Sequence, residues 1–268
     1  MAFFAYLDAG GDASQPALSA AGYVARGEQW TRFDSEWEAV LASEGVNALH
    51  MKQFAHFNDE FASWKGHPER RASFLARLRD VIGAHTMQGI STTLFVSAYH
   101  TLNTHATVRE RLGGPYTLTM LCSVMAVKNW HEANAPGEPM TVFLERGDKD
   151  QGELLDVLRR FGYPYPVTAL DKKSIVNGQQ RYVRAFEAAD FLAYEFQKGA
   201  HTMREKGADT IQARKSLLAL VPPGPSDYLR VIDVHALAAF GRSFGVRRRS
   251  GTPESRAPRH DRERRRPA

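Results

Sequence analysis

The sequence of 268 residues contains one cysteine, Cys122, so it can form no internal disulfide and no thiolate metal site. Cys122 lies in the apolar stretch Leu118–Val127, where the expected role is a buried core thiol. No apolar run approaches the roughly 18 residues of a membrane helix. The first residues lack the basic and apolar regions of a secretory leader. These absences lead to the expectation of a cytoplasmic protein with no membrane partner. GxSxG, Walker A and GxGxxG patterns are missing, so serine hydrolase, P-loop and dinucleotide-binding readings have no support. The ten histidines are scattered, without an HExxH or HxH pair.

The body of the chain also lacks an excess of charge. The net charge is +5, yet Arg247–Ala268 alone holds nine Arg and three acids, leaving 26 basic and 27 acidic residues for the rest. The segment 247–268 has no apolar periodicity and is expected to be a disordered Arg-rich tail. Such a tail can contact nucleic-acid phosphates. A solvated end with no partner is an equally good reading.

What is present is 43% hydrophobic residues, enough for one sizeable core over residues 1–246. Phe3–Asp8 and Ala17–Arg26 read as strands. Apolar spacing predicts helices over Trp30–Ser43 and Pro68–Ala84, within a helical insertion at about 28–86. Gln88–Tyr99 reads as a third strand, Tyr116–Ala133 as a helix and Met140–Glu145 as a short buried strand. Gln151–Phe161 reads as an amphipathic helix and Pro166–Asp171 as another strand. Arg184–Lys198 reads as a helix closed at Gly199. About Asp209 to Phe244 reads as helical, broken at VPPGP. The alternation implies an α/β fold, a mixed sheet with helices on both faces.

Two short stretches raise a chemical question. In MAFFAYLDAGGD an apolar strand runs into Asp8 and then breaks at Gly10 and Gly11. TVFLERGD repeats the pattern with Glu145, Gly147 and Asp148. Ligands of open α/β sheets gather beyond the carboxyl ends of strands, and glycine lets the backbone turn there. Adjacent strands would therefore point both acids into one pocket. Asp8 could instead open a turn, and Asp148 reads as a turn or helix-start acid. In FEAADFLAYEF, Glu187 and Asp190 share a helix face among apolar neighbours. A carboxylate there is costly unless paired or metal-bound. Converging carboxylates repel, and a hard divalent cation, Mg²⁺ or Mn²⁺, relieves that. Pairing with Arg184 is as good a reading of Glu187 as ligation. Asp190 has no basic residue one turn away. For Asp171, ahead of Lys172 and Lys173, a surface ion pair is the simpler reading.

YLDAGGD, the GYV strand and its following Trp-bearing helix, ALHMKQF, VFLERGD, and DKKS leading into FEAADFLAYE together resemble a known family, the domain of unknown function DUF3800. The resemblance spans most of residues 4–198. That family is similar to ribonuclease H-like nucleases, whose acids come from the first strand, the fourth strand and the last core helix. The resemblance implies a ribonuclease H-like sheet and catalytic, metal-holding positions at Asp8, Glu145 and Asp190, with Glu187 as a weaker fourth. It implies two-metal phosphodiester hydrolysis, with ions about 3.5–4 Å apart and nucleic acid as partner. His50 or Lys172 would contact phosphate or carry a proton. The usual start motif is Asp-Glu-Ser-Gly; here Ala9 and Gly10 replace the second acid and the serine, unless Asp12 substitutes. A non-catalytic binding module of the same fold is the alternative, as is a protein that binds nucleic acid through its basic tail.

Overall fold

The computed structural model describes residues 1–11, 14–105, 107–147, 150–176, 179–206, 220, 228–232 and 234–246. Asp12, Asp148, the VPPGP stretch and the Arg-rich tail, on all of which the sequence raised expectations, lie outside them. Six strands form one sheet: β1 (Phe3–Gly10), β2 (Ala17–Arg26), β3 (Gln88–Phe95), β4 (Met140–Glu145), β5 (Val167–Leu170) and β8 (Leu229–Ile232). A separate hairpin is made of β6 (Lys173–Val176) and β7 (Gln179–Tyr182). The sheet order is β5-β4-β1-β2-β3-β8. β1 and β3 run antiparallel to β2, while β4 is parallel to β1, β5 to β4 and β8 to β3. The fold is therefore α/β, with a mixed sheet flanked by helices.

Alternation along the strands assigns the two faces. Phe3, Ala5 and Leu7 of β1 join Val142 and Leu144 of β4 in one core, packed under α6 (Pro115–Asn134) and α7 (Gln151–Arg160). The long helix α8 (Arg184–Lys206) covers the opposite face, lying on β1 and β2. It is joined there by α1 (Gly27–Ser43), α2 (Met51–His56), a short 3₁₀ helix (Asp59–Trp64) and α3 (Pro68–His85). These four form the insertion between β2 and β3. Their apolar side chains, Trp37, Phe61, Trp64 and Phe74 among them, close a second core with Phe191 and Leu192 of α8. Ala188, Ala189 and Ala193 are fully buried, and their small side chains let α8 sit close to the sheet. A Cβ on Gly10 would stand only 3.3 Å from the Ala193 carbonyl oxygen, so Gly10 serves this close approach. The turns beyond the two acidic strands use Gly11 (φ 90°) and Gly147 (φ 138°).

Several boundaries differ from expectation. The third strand stops at Phe95, because its last partner is Ala17, the first residue of β2. The chain then continues as α4 (Val96–His105) and α5 (Val108–Leu112). Gly199 does not end its helix: α8 runs on to Lys206, with Gly199 buried in its wall. Of the helical reading of about Asp209 to Phe244, residues 209–219 lie outside the described residues; it is corrected at Leu229–Ile232, where β8 pairs with β3, and α9 (Val234–Ser243) is helical as read. Among the described residues, no helix is long and apolar enough to cross a membrane.

Candidate active site

Strand register brings the first two acids together. Leu7 lies beside Leu144, the last pair of the parallel β1–β4 ladder, so Asp8 and Glu145, each one residue further, stand side by side where the two strands part, Asp8 still paired with Ala21 of β2 and Glu145 with Leu170 of β5. Both point to the α8 face, as the same alternation dictates. Below them on that face Tyr6 and Phe143 stack with ring centroids 5.0 Å apart, and Trp30 and Phe186 meet the Tyr6 ring edge-on. The acids therefore stand where a strip of aromatic packing ends.

A cavity of about 300 Å³ opens above them. Asp8, Glu145 and Asp190 line it together with Lys172, His50 and Lys52. Asp190 comes from α8, His50 and Lys52 from the start of α2, and Lys172 from the base of the β6–β7 hairpin. That base is fixed where the Val183 N–H donates to the Lys172 carbonyl at 2.8 Å. The Lys172 ammonium stands 3.3 Å from Glu145 Oε2 and 3.8 Å from Asp190 Oδ2. His50 Nδ1 lies 3.8 Å from the same Asp190 oxygen, which also accepts the Met51 backbone N–H at 2.9 Å. Asp190 thus finds donors far away in sequence.

The charges are unevenly matched. Burial raises the Asp8 carboxyl well above the usual carboxylate range. Asp190 and Glu145 add to this, and Lys172 and the Ala9 N–H oppose it. The Ala9 N–H donates to Asp8 Oδ1 at 2.7 Å. Burial pulls the Lys172 ammonium down, but Asp190, Asp8 and Glu145 outweigh it and hold the lysine above its ordinary value. Lys172 is thus ion-paired with two of the three carboxylates, while Lys52 and Arg146 also line the cavity. The oxygen-only donor set of the three acids suits a hard divalent cation. In spacing the picture differs. Among the described residues, no group of three or more His, Cys, Asp and Glu side chains is placed to hold a metal ion. The Lys172 ammonium lies between Glu145 and Asp190.

Glu187 is not part of this cavity. It is fully buried, and its carboxylate accepts from Arg184 Nη1 at 2.6 Å, Trp37 Nε1 at 2.8 Å and the Leu49 N–H at 2.9 Å. It pins α1 and the Leu49 segment to α8. The pairing with Arg184 is present, but inside the protein rather than on its surface. Asp171 is exposed and lies 3.5 Å from Arg146, not beside the lysines that follow it.

A second cavity, about 620 Å³, adjoins the first and shares Ala9, Lys52 and Asp190 with it. Its walls carry His56, Tyr194, Lys198 and His201, none of them anticipated from the sequence. The available signal was spacing: Lys52 and His56 are one turn apart on α2, as are Asp190, Tyr194 and Lys198 on α8.

A scan against protein-family models finds no match to this chain, and a search of curated proteins finds no significant relative. The likeness to DUF3800 therefore rests on the short motifs alone.

Proposed function

We propose that this protein is a metal-dependent phosphodiesterase, a nuclease of ribonuclease H-like architecture. One observation carries the reading: Asp8, Glu145 and Asp190, from three separate elements, line one cavity at the carboxyl ends of two parallel strands. First strand, fourth strand and long helix are the sources that the motif resemblance implies.

Asp8, Glu145 and Asp190 are not spaced to hold an ion together as they stand, and would hold the Mg²⁺ or Mn²⁺ only on closing in around it. A bound divalent cation of this kind polarises the phosphoryl group and lowers the pKa of its water. The chain's own residues do the remaining work. Lys172 presents a buried ammonium to phosphoryl oxygens, where negative charge grows during displacement. The Tyr6–Phe143 stack forms an apolar floor that keeps the carboxylates from being fully hydrated. His50, partly exposed at the rim beside Asp190, is placed to give a proton to the departing oxygen.

Lys172 also favours a second reading. Because it already neutralises part of the acid cluster, the fold could persist as a binding module without metal or chemistry. The two readings separate in one experiment. Melting curves are recorded across a Mn²⁺ titration, with cleavage of labelled oligonucleotides followed in parallel. The nuclease reading expects Mn²⁺ at about 100-fold over its Kd to stabilise the parent by about 2.7 kcal/mol. It expects Asp8→Asn and Asp190→Asn to lose both the Mn²⁺ gain and the cleavage. A parent indifferent to Mn²⁺ and Mg²⁺ would leave the binding module as the better account.

A further inference from the structure

We infer that the larger cavity beside the acids is a binding track for a single-stranded polynucleotide, seating the nucleotides on one side of the bond to be cut. The location of that bond rests on the phosphodiesterase reading, but the track itself does not. Its evidence is the chemistry of its walls. Lys52 and His56 project from α2, and Lys198 and His201 from α8, with Asp190 at the end shared with the acid cavity. Basic groups thus run along a groove that ends at a carboxylate cluster. A chain of phosphates fits that pattern, since its charges meet lysines along the groove and the acids only at its end.

Tyr194 adds the second element. Its ring lies in the groove wall one turn from Lys198, whose ammonium is 5.6 Å from the ring centroid. An aromatic face beside a cation is the unit on which single strands bind, the base stacking on the ring and the phosphate meeting the charge. Gln197 and Gln15, hydrogen-bonded to each other in the groove wall, supply amide donors and acceptors beside it. The volume, about 620 Å³, is that of a small-ligand pocket. It gives room to one strand with unpaired bases, not to a base-paired duplex.

The test is fluorescence anisotropy on the full-length protein in EDTA, so that neither metal nor cleavage enters. The probe is a short fluorescein-labelled oligothymidylate, compared with a duplex of equal length and with polyglutamate as competitor. The expectation is tighter binding of the single strand than of the duplex and little competition by polyglutamate. Lys52→Ala with Lys198→Ala changes two exposed side chains and is expected to weaken single-strand binding. The slope of log K against log salt should fall by about 0.7 for each lysine. Tyr194→Leu, which keeps an apolar side chain in the wall, is expected to weaken binding at least about fivefold with no change in slope. The Arg-rich tail is present in every variant, so differences between them report the groove. Unchanged affinity and slope in the lysine variant, preference for the duplex, or equal competition by polyglutamate would each overturn the assignment. A parent that ignores Mn²⁺ yet loses strand binding in these variants would end the nuclease reading and leave the groove standing.

Discussion

Replacing Glu187 by glutamine tests whether the two acids of α8 have separate roles. The substitution keeps size and one acceptor oxygen but removes the charge. Glu187 is 0% exposed and Arg184 8%, so neither has water to fall back on. The carboxylate now serves three donors, Arg184, Trp37 and the Leu49 N–H. If the glutamine oxygen keeps Trp37 and Leu49, its NH₂ must face the Arg184 guanidinium. Breaking a buried ion pair from one side costs about 3–5 kcal/mol. Arg184 retains the Asn47 carbonyl at 2.9 Å and Glu38 at 3.4 Å, which places the expected loss near the lower end, about 3 kcal/mol. For a chain of this size that lowers Tm by about 6–12 °C.

Thermal melts by circular dichroism, with and without Mn²⁺, read both halves of this prediction. Binding to the folded state adds the same free energy to parent and variant as long as the site is intact. The Mn²⁺ increment of Glu187→Gln should therefore match that of the parent, on a lower baseline. A Tm within about 2 °C of the parent would show that the carboxylate is not a buried clamp. Loss of the Mn²⁺ increment without loss of baseline stability would make Glu187 a ligand and refute the division of labour.

Two further outcomes follow from the charge imbalance. The folded state binds the Asp8 proton more tightly than the unfolded chain does, so Asp8 favours folding at low pH, and that contribution is lost as pH rises through its raised folded-state value. In EDTA, Asp8→Asn should therefore melt above the parent at pH 7.5, the gap closing as the pH is lowered towards about 4; a constant or reversed gap would contradict the crowding of Asp8. Lys172→Met removes the ammonium paired with Glu145 and Asp190, and should lower stability in EDTA by less than the ~3–5 kcal/mol of a fully buried pair, because the cavity is open to water. Mn²⁺ should restore more stability to this variant than to the parent, and an unchanged Mn²⁺ increment would show that the ammonium and the cation do not share a site.

The sheet was legible because its signals are local. The β2 bounds, Ala17–Arg26, follow from an apolar strand flanked by a Gly/Ser/Pro turn and an amphipathic helix, and the structure repeats them. Glu145 could be placed at its strand end because it follows an apolar run; Asp8 follows one too, but β1 continues past it to Gly10, held by pairing with β2. What was not legible depends on partners distant in sequence. The end of β3 is set by where β2 starts, and β8 is a strand because β3 offers it an edge. The continuation of α8 through Gly199 is likewise a tertiary effect, since a buried helix wall outweighs the weak propensity of one glycine. The motif resemblance offers Lys172 as a phosphate contact, but nothing local to it predicts its pairing with Glu145 and Asp190. Only the fold puts its ammonium among acids drawn from three other elements.

The same dependence on distance explains why Asp190 is best probed by asparagine rather than alanine. Asp190 Oδ2 accepts the Met51 N–H, the first residue of α2, while Glu187 accepts the Leu49 N–H. Between those two bonds lies His50, and one residue beyond them Lys52. The two acids of α8 therefore clasp the segment that delivers both side chains to the cavity. Alanine at Asp190 would remove the charge and loosen this clasp together, so a lost activity could come from either. Asparagine keeps an acceptor for Met51 and removes only the charge. The helix spacing that put Glu187 and Asp190 on one face says nothing of this. One of the acids faces inward to build the wall, and the other faces the cavity and helps to hold its rim.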